Sequence, residues 1–401
     1  MNALTQSFGS QQDINLRKTS VVGIMERLCQ VLEPTDAQYK LVETHHDAVG
    51  WWVAAASTPL LAQANLYAHG SFATRTATRP LAGHEYDVDL ICHMAALGFV
   101  PQPTSLKRAL GDRLQANATY ARMLEEMPRC WRLNFANEFH LDITPSIPNP
   151  QCANGGELVP DKEMKCWKPT NPRGFRALFE TRAKLQLRRR LTRAFAADSM
   201  SGHVTPFPDQ SGFKSPLHRA VQLSKRHRDI YFAEADECLR PISVIITSLL
   251  ARSYEHCITT IEFDNELDLL CSVISNMLTF ISKRYVAGRP VWFIENETTS
   301  GENFAEKWNT HPERAQAFFE WHARLQGDVE RLSQAVGMDV LQTSLAGSFG
   351  TQQVSAVFNQ ITAGVSAARA TNSLFLTPGV GLTAAGSVGS RVRSNTFFGE
   401  S

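Results

Sequence analysis

The spacing of apolar residues changes along the chain and divides it into a mixed first part and a helical second part. In the first part, apolar positions at helical spacing alternate with short runs in which every second residue is apolar. These patterns predict helices over 13–32, through about 56 and over 104–117, with strands near 86–94 and at RCWRLNFA and EFHLDITPSI. The first part is therefore expected to combine α and β structure.

From about residue 205 the pattern becomes helical. In ELDLLCSVISNMLTFI, Leu267, Leu270 and Ile274 fall on one helical face, and a further helix is predicted after Pro312. After about 336 the chain is rich in Gly, Ala, Ser and Thr and carries few charges. This composition predicts a weakly ordered tail.

Composition is that of a globular protein, with 43% apolar and 20% charged residues. The net charge of +1 argues against a polyanion-binding surface at the level of the whole chain. A local basic run predicts a solvated helix face, with a polyanion contact as the alternative. The run consists of Arg182, Lys184, Arg188, Arg189, Arg190 and Arg193.

Three further observations concern the compartment. The eight cysteines contain no C-x-x-C pair, the first residues do not have the pattern of a signal peptide, and no apolar run reaches the roughly 18 residues of a membrane span. Scattered cysteines of this kind are typical of reducing surroundings. We expect a cytoplasmic protein with no membrane partner.

The stretch YAHGSFATRTATRPLAGHEYDVDLICHM carries the chemistry. Asp87 and Asp89 lie one residue apart in a predicted strand, so both carboxylates point to one face, roughly 7 Å apart along the strand. Two bare carboxylates this close repel each other, and a divalent cation removes the conflict. Mg²⁺ is the expected ion because it prefers oxygen ligands, with Mn²⁺ as the alternative.

A third acid and a Gly-Ser pair complete the pattern. In FHLDITP, Asp142 lies on the polar face of a second predicted strand, and three acids on one sheet face can hold two metal ions. Gly70 lets the backbone approach a phosphate closely, and neighbouring amides and the Ser71 hydroxyl can bind phosphate oxygens. A D-x-D pair alone is common, whereas the whole constellation is specific and predicts a nucleotidyl-transfer site.

Together with later blocks, these residues resemble the polymerase-β-like nucleotidyltransferases, specifically the cGAS/DncV-like enzymes of bacterial anti-phage signalling (CBASS), which are related to the 2′-5′ oligoadenylate synthetases. The resemblance covers roughly residues 10 to 335, together with the stretch NTFFG near the end of the chain. Its blocks are, in order, GSFATRT…DVDL, FHLDITPSIP, WKPTNPRGFRALFE, LHRAVQLSKRHRDIYF, RPISVIITSLLARSY and ENFAEKW.

The resemblance implies an α+β fold in which a mixed-sheet nucleotidyltransferase lobe and a C-terminal helical lobe enclose the active site in a cleft. We expect the catalytic lobe with its N-terminal helices over 1–204, the helical nucleotide-binding lobe over 205–335, and a flexible, low-charge tail over 336–401. Such enzymes join ribonucleoside triphosphates, ATP among them, into a cyclic oligonucleotide and release pyrophosphate. The product activates a downstream effector.

By the same resemblance, Asp87 and Asp89 would be metal ligands. Asp142 would bind metal and favour deprotonation of the attacking ribose hydroxyl. Lys225 would contact the triphosphate as a point charge, and Ser243, near a helix start, would add a hydroxyl. A solvated lysine and a simple helix cap are the alternatives for these last two residues.

Other functions stay open at this point. A linear nucleotidyl transferase acting on RNA or protein would use the same acids, and a catalytically silent nucleotide-binding scaffold would keep the fold. No zinc ribbon or basic DNA-binding face is present, so no nucleic-acid partner is expected. A regulatory or ligase partner could act on the C-terminal tail. Base identity and ring size of the product are not set by these motifs.

Overall fold

The computed structural model describes residues 11–61, 63–81, 84–95, 97, 99–136, 138–161, 166–187, 214–377, 381–383 and 390–392. Its α-helices are α1 (Gln11–Leu32), α2 (Asp36–Ala54), α3 (Gly70–Ala73), α4 (Pro103–Gln115), α5 (Ala118–Ala121), α6 (Pro172–Ala183), α7 (Pro216–Tyr231), α8 (Ser243–Thr260), α9 (Glu266–Ser275), α10 (Pro312–Gln334), α11 (Met338–Phe349) and α12 (Thr351–Ala370). Its strands are β1 (Ala64–Ala68), β2 (Tyr86–Met94), β3 (Leu124–Glu126), β4 (Trp131–Phe135), β5 (Phe139–Pro148), β6 (Glu157–Asp161), β7 (Cys166–Thr170), β8 (Ser282–Val286), β9 (Arg289–Phe293), β10 (Phe375–Thr377), β11 (Gly381–Thr383) and β12 (Ser390–Arg391).

A seven-stranded mixed sheet forms the first lobe. Its order is β1-β2-β5-β4-β3, with β6 and β7 continuing from the end of β5. The central pair, β2 and β5, is parallel, and the other pairs are antiparallel. The inward residues of this pair, Val88, Leu90, Leu141 and Ile143, are fully buried in one core with residues of α2 and α4.

Helices α6 to α10 form the second lobe around a separate core. Proline at the first position starts α7 and α10, where the missing N–H costs nothing. Phe179 of α6 and Trp321 of α10 are among the large side chains of this core. The predicted boundary at 204/205 itself falls outside the described residues, but α6, which that prediction placed in the catalytic lobe, packs in the core of the second lobe.

The tail prediction was wrong over much of its length. α11 and α12 are helices, and their apolar residues pack against α1 in a third core. Leu341, Leu345 and Phe349 follow each other at four-residue spacing, so a low-charge segment still presents an apolar helical face. The prediction placed α1 in the catalytic lobe, whereas α1 packs on helices α7, α9, α10 and α12.

The basic run also differs from its prediction. Arg182 is buried, and its guanidinium lies 2.7 Å from a Glu255 carboxylate oxygen and 2.6 Å from one of Glu297. Its charge therefore stabilises the helical lobe from inside instead of facing solvent. Lys184 is exposed, and the run's other arginines lie outside the described residues.

Within the part of the chain that the structure describes, no helix is both long and apolar enough to cross a bilayer.

Candidate active site

Two rows of polar side chains cross the central strands on the face opposite the core. Parallel pairing sets Asp89 of β2 directly beside Asp142 of β5 and sets Asp87 beside His140. Both strands alternate buried apolar residues with these polar ones, so the alternation alone places all four side chains on one face. The register thus places the three predicted acids on one face of the sheet, but the group of ligand atoms close enough to share an ion contains Asp87, His140 and Asp142 and does not include Asp89.

Arg132 of β4 extends the same row. It is the register partner of Asp142, and its Nε and Nη2 donate to Asp142 Oδ1 and Oδ2 at 2.6 and 2.7 Å. Its Nη2 also lies 3.8 Å from Asp87 Oδ1, and His140 Nε2 lies 3.1 Å from that oxygen. Ligand atoms of Asp87, His140 and Asp142 lie within 4.8 Å of one another and could hold a metal ion.

The electrostatics of the acids reflect their crowding. Burial, followed by repulsion from Asp87 and Asp142, raises the pKa of Asp89 well above its usual range. The hydrogen bonds to Asp142 raise the pKa of Arg132, so this cation is firmly held. Desolvation lowers the pKa of His69 to about 4 even though three carboxylates raise it, which leaves a neutral ring beside the acids at neutral pH.

The Gly-Ser pair lies directly against the acids. Gly70 has φ +62°, and a Cβ at this position would overlap Asp89 Oδ2. The amide of His69 donates to the Asp89 carbonyl oxygen at 2.9 Å, which ties the turn to β2. Only glycine combines this backbone conformation with so close an approach. Ser71 is half-buried at the next position.

Lys225 of α7 is buried against the loop that follows the Gly-Ser turn. A chain of three contacts leads from Lys225 to the turn. Lys225 Nζ donates to Thr76 Oγ1 at 2.9 Å, and the Thr76 and Thr74 hydroxyls lie 2.9 Å apart. The Thr74 hydroxyl then donates to the Gly70 carbonyl oxygen at 3.0 Å. Desolvation, with Arg228 as a smaller cause, lowers the pKa of Lys225 to about 7, against the attraction of Asp229 and, more weakly, of Asp89. The solvated-lysine alternative is therefore wrong.

Ser243 is the first residue of α8, and its Oγ accepts a hydrogen bond from Arg228 Nη1 at 2.9 Å. The N-cap of that helix is Ile242, so Ser243 does not cap it. The contact with Arg228, which also donates to the Pro241 carbonyl, joins the start of α8 to α7. Its predicted contact with nucleotide stays a prediction.

Sequence reasoning missed two groups near the acids. Arg132 was visible only as a polar position in a short strand, and its register with Asp142 depends on how β4 pairs with β5. Further along the same face, Glu157 accepts hydrogen bonds at 2.6 Å from both Tyr67 and Ser146. These bonds join β1, β5 and β6 on that face.

Comparisons with known proteins agree with this geometry. Residues 20–182 match the SMODS family, described as the Second Messenger Oligonucleotide or Dinucleotide Synthetase domain. The chain is 26% identical over 391 residues to a c-di-GMP synthase of Roseivirga ehrenbergii, which covers 96% of this chain and 98% of that protein. It is 30% identical over 224 residues to the cyclic dinucleotide synthase CdnG of Bradyrhizobium diazoefficiens, half of each chain.

The solved structure of that CdnG in complex with GTP superimposes with a TM-score of 0.63 at 20% identity, covering 85% of this chain and 97% of the other, which establishes the fold. The chain is therefore similar to the cGAS/DncV-like nucleotidyltransferases, as the sequence predicted. The predicted family, the α+β fold and the enzyme class, a nucleotidyltransferase that makes a cyclic oligonucleotide, are therefore confirmed.

Proposed function

We propose that this chain joins two ribonucleoside triphosphates into a cyclic dinucleotide, using Asp87, Asp89 and Asp142 as its catalytic acids. The observation that carries the proposal is the register of β2 and β5, which sets Asp89 beside Asp142 on the face of the sheet opposite the core. The names of the two relatives support a dinucleotide product over a larger ring. The c-di-GMP synthase, which matches nearly the whole chain, makes GTP the first substrate to test, with ATP alongside it.

The acids fit a divalent cation. Their crowding raises the pKa of Asp89, so the bare site resists full ionisation, and carboxylate oxygens are the ligands that Mg²⁺ prefers. Asp87 and Asp89 would hold the ion, with Asp142 as a further ligand. When bound, Mg²⁺ would offset charge on the triphosphate and ease deprotonation of the attacking ribose hydroxyl. Mn²⁺ is an acceptable substitute for the same ligand set.

The Gly-Ser turn and Lys225 would bind the triphosphate. Because Gly70 has no Cβ, the turn lies directly against Asp89, which brings its backbone amides and the Ser71 hydroxyl next to the acids, where a phosphate would bind. Lys225 would exchange its hydrogen bond to Thr76 for a phosphate oxygen, and the charge of the phosphate would keep its ammonium protonated. Ser243 would join them after giving up Arg228.

A product analysis tests the proposal. The purified chain is incubated with GTP alone, ATP alone and all four ribonucleotides in the presence of Mg²⁺, and products are analysed by mass spectrometry before and after phosphatase treatment. A phosphatase-resistant cyclic dinucleotide is expected from the wild type and none from the variant with Asp87→Asn and Asp89→Asn. Linear products that phosphatase degrades would favour the linear transferase, and no product with any mixture would favour the silent scaffold.

The cellular role follows from the product. We propose that the cyclic dinucleotide is a second messenger, as the family description supports, and that it activates an effector in anti-phage defence. A plaque assay in cells that carry the chain with its neighbouring genes tests this, because loss of Asp87 and Asp89 should abolish protection. The predicted ligase contact at the C-terminal end concerns residues up to Ser401 that lie outside the described ones.

A further inference from the structure

Arg132 holds two of the three acids at once. Its two nitrogens bind both oxygens of Asp142 in a bidentate arrangement, and Nη2 also faces Asp87 at 3.8 Å. The side chain is only 22% exposed and Asp142 only 14%, so solvent screens this pair weakly. Bidentate guanidinium–carboxylate pairs set the plane of the carboxylate as well as its charge.

The position of Arg132 is set by the backbone. β4 and β5 pair antiparallel, and Arg132 is opposite Asp142 in the register, with Leu133 fully buried in the core beside it. A lysine at the same place would keep the charge but could not grip both oxygens in a plane. The arginine therefore acts from a rigid strand and not from a mobile loop.

This arrangement has a consequence for metal binding. Three carboxylates without a cation repel one another, and Arg132 supplies one positive charge that offsets this repulsion in the metal-free protein. The same positive charge repels a divalent cation that approaches Asp87 and Asp142, and the two compete for the same oxygens. At the short distances found here and an effective dielectric constant of about 20, repulsion by one nearby positive charge corresponds to about a factor of ten or more in affinity for a cation.

We propose that Arg132 is the positioning residue of this site: it aligns Asp142 for the reaction and weakens metal binding in return. The proposal rests on the proposed metal-holding role of Asp87, Asp89 and Asp142. It predicts opposite changes in two quantities, because removal of Arg132 should strengthen binding of the ion while it slows the reaction. A purely structural role would weaken both.

The test uses the full chain with Arg132→Gln, Arg132→Lys and the control Arg129→Gln. Arg129 is about half-exposed and pairs with Asp161 at 3.6 Å, away from the acids, so its loss removes the same charge from the same lobe. Binding of Mn²⁺ alone is measured by electron paramagnetic resonance without nucleotide, at about pH 8, where carboxylates with ordinary pKa values are ionised. The turnover of dinucleotide synthesis is measured in parallel.

Arg132→Gln is expected to bind Mn²⁺ about tenfold more tightly than the wild type and to turn over at least about tenfold more slowly. Arg132→Lys should bind Mn²⁺ as the wild type does but share the slow turnover, because the charge stays and the bidentate grip is lost. Arg129→Gln should change neither.

Unchanged or weaker Mn²⁺ binding by Arg132→Gln would overturn the proposal, and so would normal turnover of Arg132→Lys. Failure of the underlying function looks different. In that case the wild type would bind no Mn²⁺, or it would bind Mn²⁺ as well after Asp87→Asn and Asp89→Asn.

Discussion

The substitution Gly70→Ala separates the chemistry of the site from its stability. Gly70 has φ +62°, where a residue with a Cβ is strained, and a Cβ there would also overlap Asp89 Oδ2. The backbone strain should cost about 1–2 kcal/mol. The overlap adds a second effect, because the Asp89 carboxylate must turn away from its place beside Asp142.

The matched control is Gly155→Ala in the same lobe. Gly155 has φ +70°, close to that of Gly70, but nothing lies within 4 Å of its added Cβ. Both variants should therefore lose about 1–2 kcal/mol of stability from backbone strain. For a lobe of this size that corresponds to about 2–8 °C in melting temperature.

Synthesis of the dinucleotide should distinguish them. A displacement of about 1 Å at a reacting group can cost a hundredfold in rate, so Gly70→Ala should lose at least about that factor, and Gly155→Ala should stay close to the wild type. The assay is initial rate of product formation at saturating nucleotide and Mg²⁺, with the melting temperature of each variant recorded in the same buffer. Equal activity of the two variants would refute the view that Gly70 is required for its contact with Asp89.

Further expected outcomes concern the acids, the buried lysine and the added helices. Asp87→Asn with Asp89→Asn should lower synthesis at least about a thousandfold, on the order of 4 kcal/mol. The melting temperature of this variant without metal should hold or rise. The reason is that the pKa of the Asp89 carboxyl is raised in the folded protein, so the stability that this carboxyl contributes is lost as the pH rises through that pKa. Lys225→Ala should raise KM for nucleotide more than it lowers kcat. The nucleotide affinity of the wild type, measured by calorimetry, should weaken as the pH rises through about 7, because the lysine loses its proton there, and the affinity of the variant should not show this pH dependence. Phe349→Ala should lower the free energy of unfolding by about 3–5 kcal/mol, because the Phe349 side chain of α11 is fully buried in the third core. The control Val340→Ala, at an exposed position of the same helix, should change the free energy of unfolding by no more than about 0.5 kcal/mol. Denaturant titrations measure both.

The pattern of apolar and polar residues along the sequence determined the central strands and the direction in which their side chains point. Alternation of apolar and polar residues was sufficient to predict β2 and β5, and it placed Asp87, Asp89 and Asp142 on polar faces, because side-chain direction in a strand depends only on position along it. The resemblance of the ordered blocks then indicated the family, which the comparisons confirmed.

Only the tertiary structure decided which strands are neighbours and in which register. That register puts Asp89 beside Asp142 and Arg132 across from it, and a slip of one residue would turn each strand's polar set to the core. Burial of Lys225 against Thr76 likewise depends on how α7 packs against the first lobe. The low-charge segment 338–370 is helical because α12 packs on α1 while α11 packs on α7 and α10, and no local pattern contains those partners.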